Sequence, residues 1–318
     1  MNYPYNTMIP VKDQPGNANG VTRRKFIYNV STVVGTGVML ASPLLSSAAS
    51  FVKTDEGYTV KQVMDLFIKT VPGSPLANTV DTLKSGSPDT KVTGIVTTMF
   101  ATIAIIHKAI DLGANFIIAH EPTFYNHTDD TSWLKNDDVY QYKANLLKEH
   151  NIAVWRNHDY IHHLVPDGVT TGVLAQLGWQ SYADHALPNV ITLPATSLKD
   201  LIGHAKAKLN IEKVRYVGNP DQVCKNVILI PGAAGGQRQI GAIDKYKPDV
   251  LVVGEISEWE TAEYVRDANL KGDKISLVVL GHIASEEPGS QYMLNWLKEH
   301  VPGVKAAHVP SGNSLSFM

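Results

Sequence analysis

The chain has 318 residues, 44% of them hydrophobic and 18% charged, an ordinary globular composition with ample apolar material for a large core. A formal net charge of -2 gives no long-range field of either sign, which argues against nucleic acid or anionic membrane as a partner. Cys224 is the only cysteine, so neither an intrachain disulfide nor a thiolate metal cluster can form, and any bound metal must rest on His and carboxylates.

At the amino terminus, Thr22-Arg23-Arg24-Lys25-Phe26-Ile27 precedes an uncharged, largely apolar run from Val30 to Leu45, and the small residues Ser47-Ala48-Ala49 follow it. This is the layout of a secretory signal. The paired arginines resemble a twin-arginine signal, whose pathway exports folded proteins. Residues 1–50 are therefore expected to be a cleaved export signal that delivers the protein to the periplasm. Gly35, Gly37 and Pro43 dilute the apolar run, so no stable membrane insertion is expected after cleavage.

From about residue 54 helical periodicity alternates with short β-branched runs, the rhythm of an α/β fold. Val60 to Lys69 reads as an amphipathic helix. The β-rich segment Val92 to Thr98 leads to a helix over 102–112, closed by Gly113, and then to the strand Asn115 to Ala119. A second unit repeats the plan: helix Val139 to His150, strand Ile152 to Trp155, then a turn holding Asn157-His158-Asp159 and His162-His163. Pro188 and Pro194 flank a short strand, a helix begins near Ser197, and the change of character at 186–194 reads as a domain boundary. Strands Val214 to Val217 and Val223 to Ile230 follow, then the loop Pro231 to Gly236, a helix, the strand Val250 to Val253 and a helix from Ser257 to Asn269. A strand from Ser276 to Leu280 and a helix from about Ser285 to Glu299 close the chain. The expected division is 54–185 plus 275–318 as one α/β domain carrying most of the chemistry, and 186–274 as a second.

In open α/β sheets function gathers at the carboxyl ends of strands, and three loops there carry histidine. His282 and Glu286 are four apart at a strand-to-helix junction, so both side chains can lie on one side of the first turn and share an ion. His120 and Glu121 are adjacent at a strand end, where successive side chains diverge, which suits two neighbouring ions. Imidazole and carboxylate are typical ligands of Zn, Mn or Fe, and a carboxylate can bridge two ions about 3.5–4 Å apart. A third contribution can come from His158, Asp159 or His162. One His/Glu pair alone would be coincidence among 12 histidines; three such loops shift the balance. His107 and His150 read as structural, and His127 as part of a solvated loop.

The glycine loop Pro231 to Gly236 reads as a tight turn before a helix; it matches neither the P-loop nor the dinucleotide fingerprint. Glu255, just past a strand, is a carboxylate able to face the same cleft. No G-x-S-x-G elbow is present and Cys224 falls inside a strand, so nucleophilic catalysis by Ser or Cys has no support.

Four segments together resemble the NIF-three-like family, also described as GTP cyclohydrolase type-two-like dinuclear metal proteins. They are Ile118-Ala119-His120-Glu121-Pro122-Thr123-Phe124, the stretch from His158 to His162, Val252-Val253-Gly254-Glu255-Ile256-Ser257, and Gly281-His282-Ile283-Ala284-Ser285-Glu286. The resemblance implies two similar α/β domains with a metal site in the cleft between them, a toroidal homo-hexamer, and His120, His282 and Glu286 as metal ligands. Glu121 stands where the family has a second His, and His162 where it has an Asp, so the ligand set keeps its overall composition. The expected protein is an exported metal-dependent hydrolase of an unidentified small molecule, nucleotides and cyclic amides being substrate classes to consider. Two divalent ions (Zn, Mn or Fe) would be held by His120, Glu121, His162, His282 and Glu286, with His158 and Asp159 as catalytic groups that orient ligands or move protons. The competing expectation is a non-enzymatic metal-binding or scaffold protein.

Overall fold

A computed structural model of the chain describes residues 57–316 and residue 318, so the export signal expected over 1–50 lies outside the described residues. The first helix, α1 (Val60–Ile68), starts where a capping box closes: the Thr59 side chain accepts from Gln62 N and the Gln62 side chain accepts from Thr59 N. There follow β1 (Leu83–Ser85), β2 (Ile95–Thr98), α2 (Ile103–Asp111), β3 (Phe116–Ala119), α3 (Asp138–Glu149), β4 (Ala153–Arg156), the single turn α4 (Asp159–His162) and α5 (Gly168–Leu177). The second half runs β5 (Val190–Ser197), α6 (Leu198–Leu209), β6 (Arg215–Val217), β7 (Val223–Ile230), α7 (Gly236–Tyr246), β8 (Val250–Val253), a π-helical turn (Glu258–Ala262), α8 (Glu263–Lys271), β9 (Ser276–Val279), α9 (His282–His300) and β10 (Ala306–His308).

The result is a mixed α/β fold with two five-stranded sheets, ordered β1-β4-β3-β2-β10 and β5-β7-β8-β9-β6. In the first, β4, β3, β2 and β10 are parallel and β1 is an antiparallel edge. In the second, β7, β8 and β9 are parallel between antiparallel edges β5 and β6. The described residues form one compact unit. The chain crosses back to the first sheet only after β9: although residues 275 onward were expected with the first half, Ser276–Val279 hydrogen-bonds inside the second sheet, and β10 returns to β2.

Period-two alternation explains the layers. Phe116 and Ile118 face a central core shared with Val250 and Val252 of β8 and with Val169 and Val173 of α5. Ile117 and Ala119 face an outer core with Ile105 and Ile106 of α2 and Leu147 of α3. On the far side Leu251 and Val253 pack on Ile243 of α7 and Val265 of α8. Strands β2, β3, β4, β8 and β9 are therefore buried along their whole length, and it is their ends that are free to hold chemistry. Helix α5 escaped the sequence reading because Val169, Thr170, Gly172, Val173 and Leu174 bury it nearly all round, which leaves no amphipathic stripe. The strand expected between Pro188 and Pro194 runs on through Pro194 to Ser197, because β5 is an edge and its pairing with β7 shifts register between Thr192 and Thr196, where a missing N–H is tolerated. Helix α9 begins at His282 rather than near Ser285. Gly281 at φ 95° turns the chain into the helix directly from the strand.

Candidate metal centre

Parallel register sets Ala119 of β3 opposite Arg156 of β4, so His120 and Asn157 leave the first sheet side by side. In the second sheet Val253 lies opposite Val279; Gly254 and Gly281 follow, tied by Gly281 N donating to Gly254 O at 3.0 Å. The histidine turn expected at 157–163 is the helical turn α4. Its N-terminus is held by the buried Asp81, whose two oxygens accept from His158 N (2.9 Å) and Tyr160 N (2.7 Å). This turn brings His158 and His162 onto one face, four residues apart.

Four imidazoles meet here, and each has its Nδ1 tied to an oxygen. His120 Nδ1 donates to Asn157 O (3.2 Å), His158 Nδ1 to Asp159 Oδ1 (2.9 Å), His162 Nδ1 to Asp167 Oδ2 (2.9 Å) and His282 Nδ1 to Glu255 Oε1 (3.0 Å). All four Nε2 atoms turn toward two buried carboxylates. Glu286 Oε2 lies 2.9 Å from His282 Nε2 and 3.4 Å from His120 Nε2, while Glu286 Oε1 lies 3.8 Å from His162 Nε2. Glu121 Oε1 lies 3.3 Å from His282 Nε2 and 3.8 Å from His158 Nε2. The rings crowd one another, His120 stacking on His158 at 4.9 Å between centroids.

The electrostatics follow from this crowding. Burial resists charge on Glu121, but the hydrogen bond from His282 and the neighbouring imidazoles hold its carboxyl down to about 2. Burial likewise opposes charge on Glu286, and its contacts with His120 and His282 keep it well below the usual carboxylate range. On His282 the penalty of burial is overcome by Glu121, Glu255 and Glu286, which raise the ring to about 12; on His162 it is overcome chiefly by Asp167, which raises it to about 9. His158 goes the other way: burial outweighs its bond to Asp159 and lowers it to about 4.

Two sets of ligand atoms lie within 4.8 Å of one another, His120/His158/His162 and His120/Glu121/Glu286. Their donors, imidazole nitrogen and carboxylate oxygen, suit a divalent transition metal. One atom is left over in a way an ion would resolve: His120 Nε2 is buried and has no hydrogen-bond partner among the described residues. The glycine loop makes room for the carboxylate. Gly232 has φ +67°, and a Cβ there would stand 2.0 Å from Glu286 Oε1, while Ser285 Oγ accepts from Gly232 N at 3.0 Å. The loop thus serves close approach, as a tight turn. Glu260 covers Gly236 at the start of α7, where a phosphate would otherwise meet the helix.

The residues expected as ligands, His120, Glu121, His162, His282 and Glu286, all converge in this cluster. Asp159 stands behind His158, its Oδ2 occupied by Thr79 Oγ1 (2.8 Å) and Val80 N (3.1 Å). His158, expected as a proton mover, presents Nε2 to the cluster in the same manner as the ligands. His127 is exposed, yet its ring sits edge-on to His158 at 6.2 Å rather than in a purely solvated loop. Of the remaining histidines, His204 stacks on Trp179 and His300 on Trp296, both structural. Asp81, Asp167 and Arg156 went unread. Asp167 carried a signal, since it caps α5 by accepting from Thr170 N at 2.9 Å, but nothing in sequence ties it to His162. Arg156 is completely buried at the end of β4 and donates Nη2 to Glu121 Oε2 at 3.4 Å.

The chain is similar in sequence and fold to known proteins. A "GTP cyclohydrolase 1 type 2 homolog" from Clostridium acetobutylicum is 25% identical over 246 residues, 73% of this chain and 87% of its own length. One from Escherichia coli K12 is 23% identical over 65% of this chain and 79% of its own. Among solved structures, Staphylococcus aureus protein SA1388 superposes with a TM-score of 0.67 at 20% identity, covering 82% of this chain and 99% of its own. Reduced HcgD from Methanocaldococcus jannaschii gives 0.60 at 15% identity, over 79% and 97%. The family model Duf34/NIF3 (NGG1p interacting factor 3) matches residues 59–313, nearly all of the described chain, and the protein belongs to that family.

Proposed function

We propose that the protein is a hydrolase of a small molecule, dependent on two divalent ions (Zn, Mn or Fe) held in a cleft between two similar α/β halves. The observation that carries this reading is the shared posture of His120, His158, His162 and His282: every Nδ1 is fixed by an oxygen and every Nε2 faces Glu121 or Glu286. Such outer partners fix the tautomer and orientation that a metal-binding imidazole needs. Bound ions would supply Lewis acidity, which polarises a scissile bond and acidifies water.

The chain's own groups divide the remaining work. Asp159, Asp167 and the Asn157 carbonyl hold three rings in place. Glu255 is the exposed member: its Oε1 sits on His282 Nδ1 and 54% of its side chain is open to solvent. It is the carboxylate placed to carry a proton between the centre and water. Export through the twin-arginine signal of residues 1–50, periplasmic residence and a homo-hexameric assembly complete the proposal; cell fractionation and light scattering test them.

The test of function is hydrolysis of a panel of phosphoesters, nucleotides including GTP, cyclic amides and peptides, with metal added and then chelated. Metal-dependent turnover that chelation abolishes is expected. A second reading, a metal-binding or scaffold protein, is favoured by the burial of His120, Glu121 and Glu286, each exposed by 8% or less, because a closed coordination shell suits storage or structure. Full metal loading without turnover anywhere on the panel would decide for it.

A further inference from the structure

Arg156 is the one guanidinium that touches the centre among the described ion pairs, and all its nitrogens are committed. Nε donates to His120 O (3.4 Å), Nη1 to His127 O, and Nη2 to Glu121 Oε2 (3.4 Å), with Asp129 Oδ2 3.6 Å from Nη1. Asp129 is in turn paired with the buried Lys84 at 3.2 Å, and accepts from Phe124 N at 2.8 Å. The arginine thus ties the end of β4 to the end of β3 and to the loop over 124–129. A fully buried guanidinium persists only when it is paired and hydrogen-bonded, and these partners engage each of its three nitrogens.

The two oxygens of Glu121 therefore face different neighbours. Oε2 faces Arg156, while Oε1 faces His158 and His282. Glu286 differs: Oε1 faces His162, Oε2 faces His120 and His282, and among the described residues no arginine or lysine forms an ion pair with either oxygen. Resting on the metal reading above, we propose that Arg156 is a positioning residue that withholds one oxygen of Glu121, so that this carboxylate serves the centre through Oε1 alone, whereas Glu286 has both oxygens to offer. A planar fork held by two carbonyls can fix which oxygen is withheld; a single ammonium on a flexible stem cannot.

The experiment is a double-mutant cycle on the full chain, with R156M, E121Q and the pair, read out as Zn affinity by competition with a chromogenic chelator and as the absorption spectrum of the Co(II)-loaded protein. R156M is expected to weaken Zn binding by roughly 10–100-fold, the usual cost of losing an outer partner. It should also change the Co(II) bands and have no further effect once E121Q is present. R156K preserves charge and guards against misfolding of R156M; it should show the same spectral change with a smaller loss of affinity. Unaltered affinity and bands in R156M or R156K overturn the proposal, as does an effect of R156M that persists undiminished beside E121Q, since Arg156 would then act by supporting the fold. Wild-type protein that binds neither Zn nor Co(II) overturns the metal reading itself.

Discussion

The two sheets reach the centre by opposite means. The first brings side chains: His120 and Glu121 at the end of β3 and His158 after β4, anchored from behind by the buried charges of Arg156, Asp129 and Lys84. The second removes them: glycine follows each of its parallel strands, Gly232 after β7, Gly254 after β8 and Gly281 after β9. A Cβ at Gly254 would meet Ser285 Oγ at 2.4 Å and the Gly232 backbone at 2.5 Å. The bare strand ends let α9 sit close enough to deliver His282 and Glu286. One half of the centre depends on paired charge and the other on empty space, so the two should fail differently.

The largest effect is expected on the glycine side. Gly232→Ala places a methyl where the Glu286 carboxylate lies and forces a left-handed backbone on alanine. It should displace the carboxylate, lower Zn affinity by more than about 100-fold, beyond the range for outer-partner changes, and cost about 1–3 kcal/mol of stability in denaturant titration. Gly254→Ala, crowded by backbone that cannot swing away, should cost at least as much stability. Wild-type metal affinity in Gly232→Ala would contradict the close-approach reading.

Next comes the imidazole–carboxylate pairing where the two sides meet, tested by pH in the metal-free protein. His162 and His282 have folded pKa values raised to about 9 and about 12. Their contribution to stability is fully present below the unfolded value near 6.5, and for His162 it is lost as pH rises from about 6.5 through 9. The Tm of the metal-free protein should therefore fall across that interval, at about 2–4 °C per kcal/mol of lost pairing. Metal-loaded protein, whose rings are already neutral, should not show this alkaline decline. A flat profile for the metal-free form would mean that the imidazole–carboxylate pairs are not made.

The smallest effect is expected from Glu255→Gln, which keeps an acceptor for His282 Nδ1 but removes the charge. About tenfold weaker metal binding with unchanged stability is the expectation; an unchanged affinity would reduce Glu255 to a surface carboxylate.

Much of this centre is legible in the sequence because its spacing obeys element geometry. His282 and Glu286 are four positions apart, one helical turn, and His120 follows Phe116–Ala119, an apolar run short enough to read as a buried strand. What stayed hidden depends on contacts far apart in sequence. Arg156 meets Glu121 across 35 residues, and Asp81 meets Tyr160 across 79. Neither contact has a signal in sequence, because a buried ion pair and a side-chain-to-backbone hydrogen bond leave no periodic mark. His158 and Glu255 were visible but ambiguous: only the direction of Nδ1 and Nε2 separates a ring that binds from one that shuttles protons, and that direction is set by Asp159 and by the α4 turn.

The most direct test of the whole arrangement is a crystal structure of protein loaded with Zn, with anomalous scattering recorded at the metal edge. Two peaks are expected, each about 2.0–2.2 Å from Nε2 atoms of His120, His158, His162 or His282 and from oxygens of Glu121 or Glu286. Density confined to other residues, or fully loaded crystals with no peak among these six side chains, would contradict the claim that they form a metal centre.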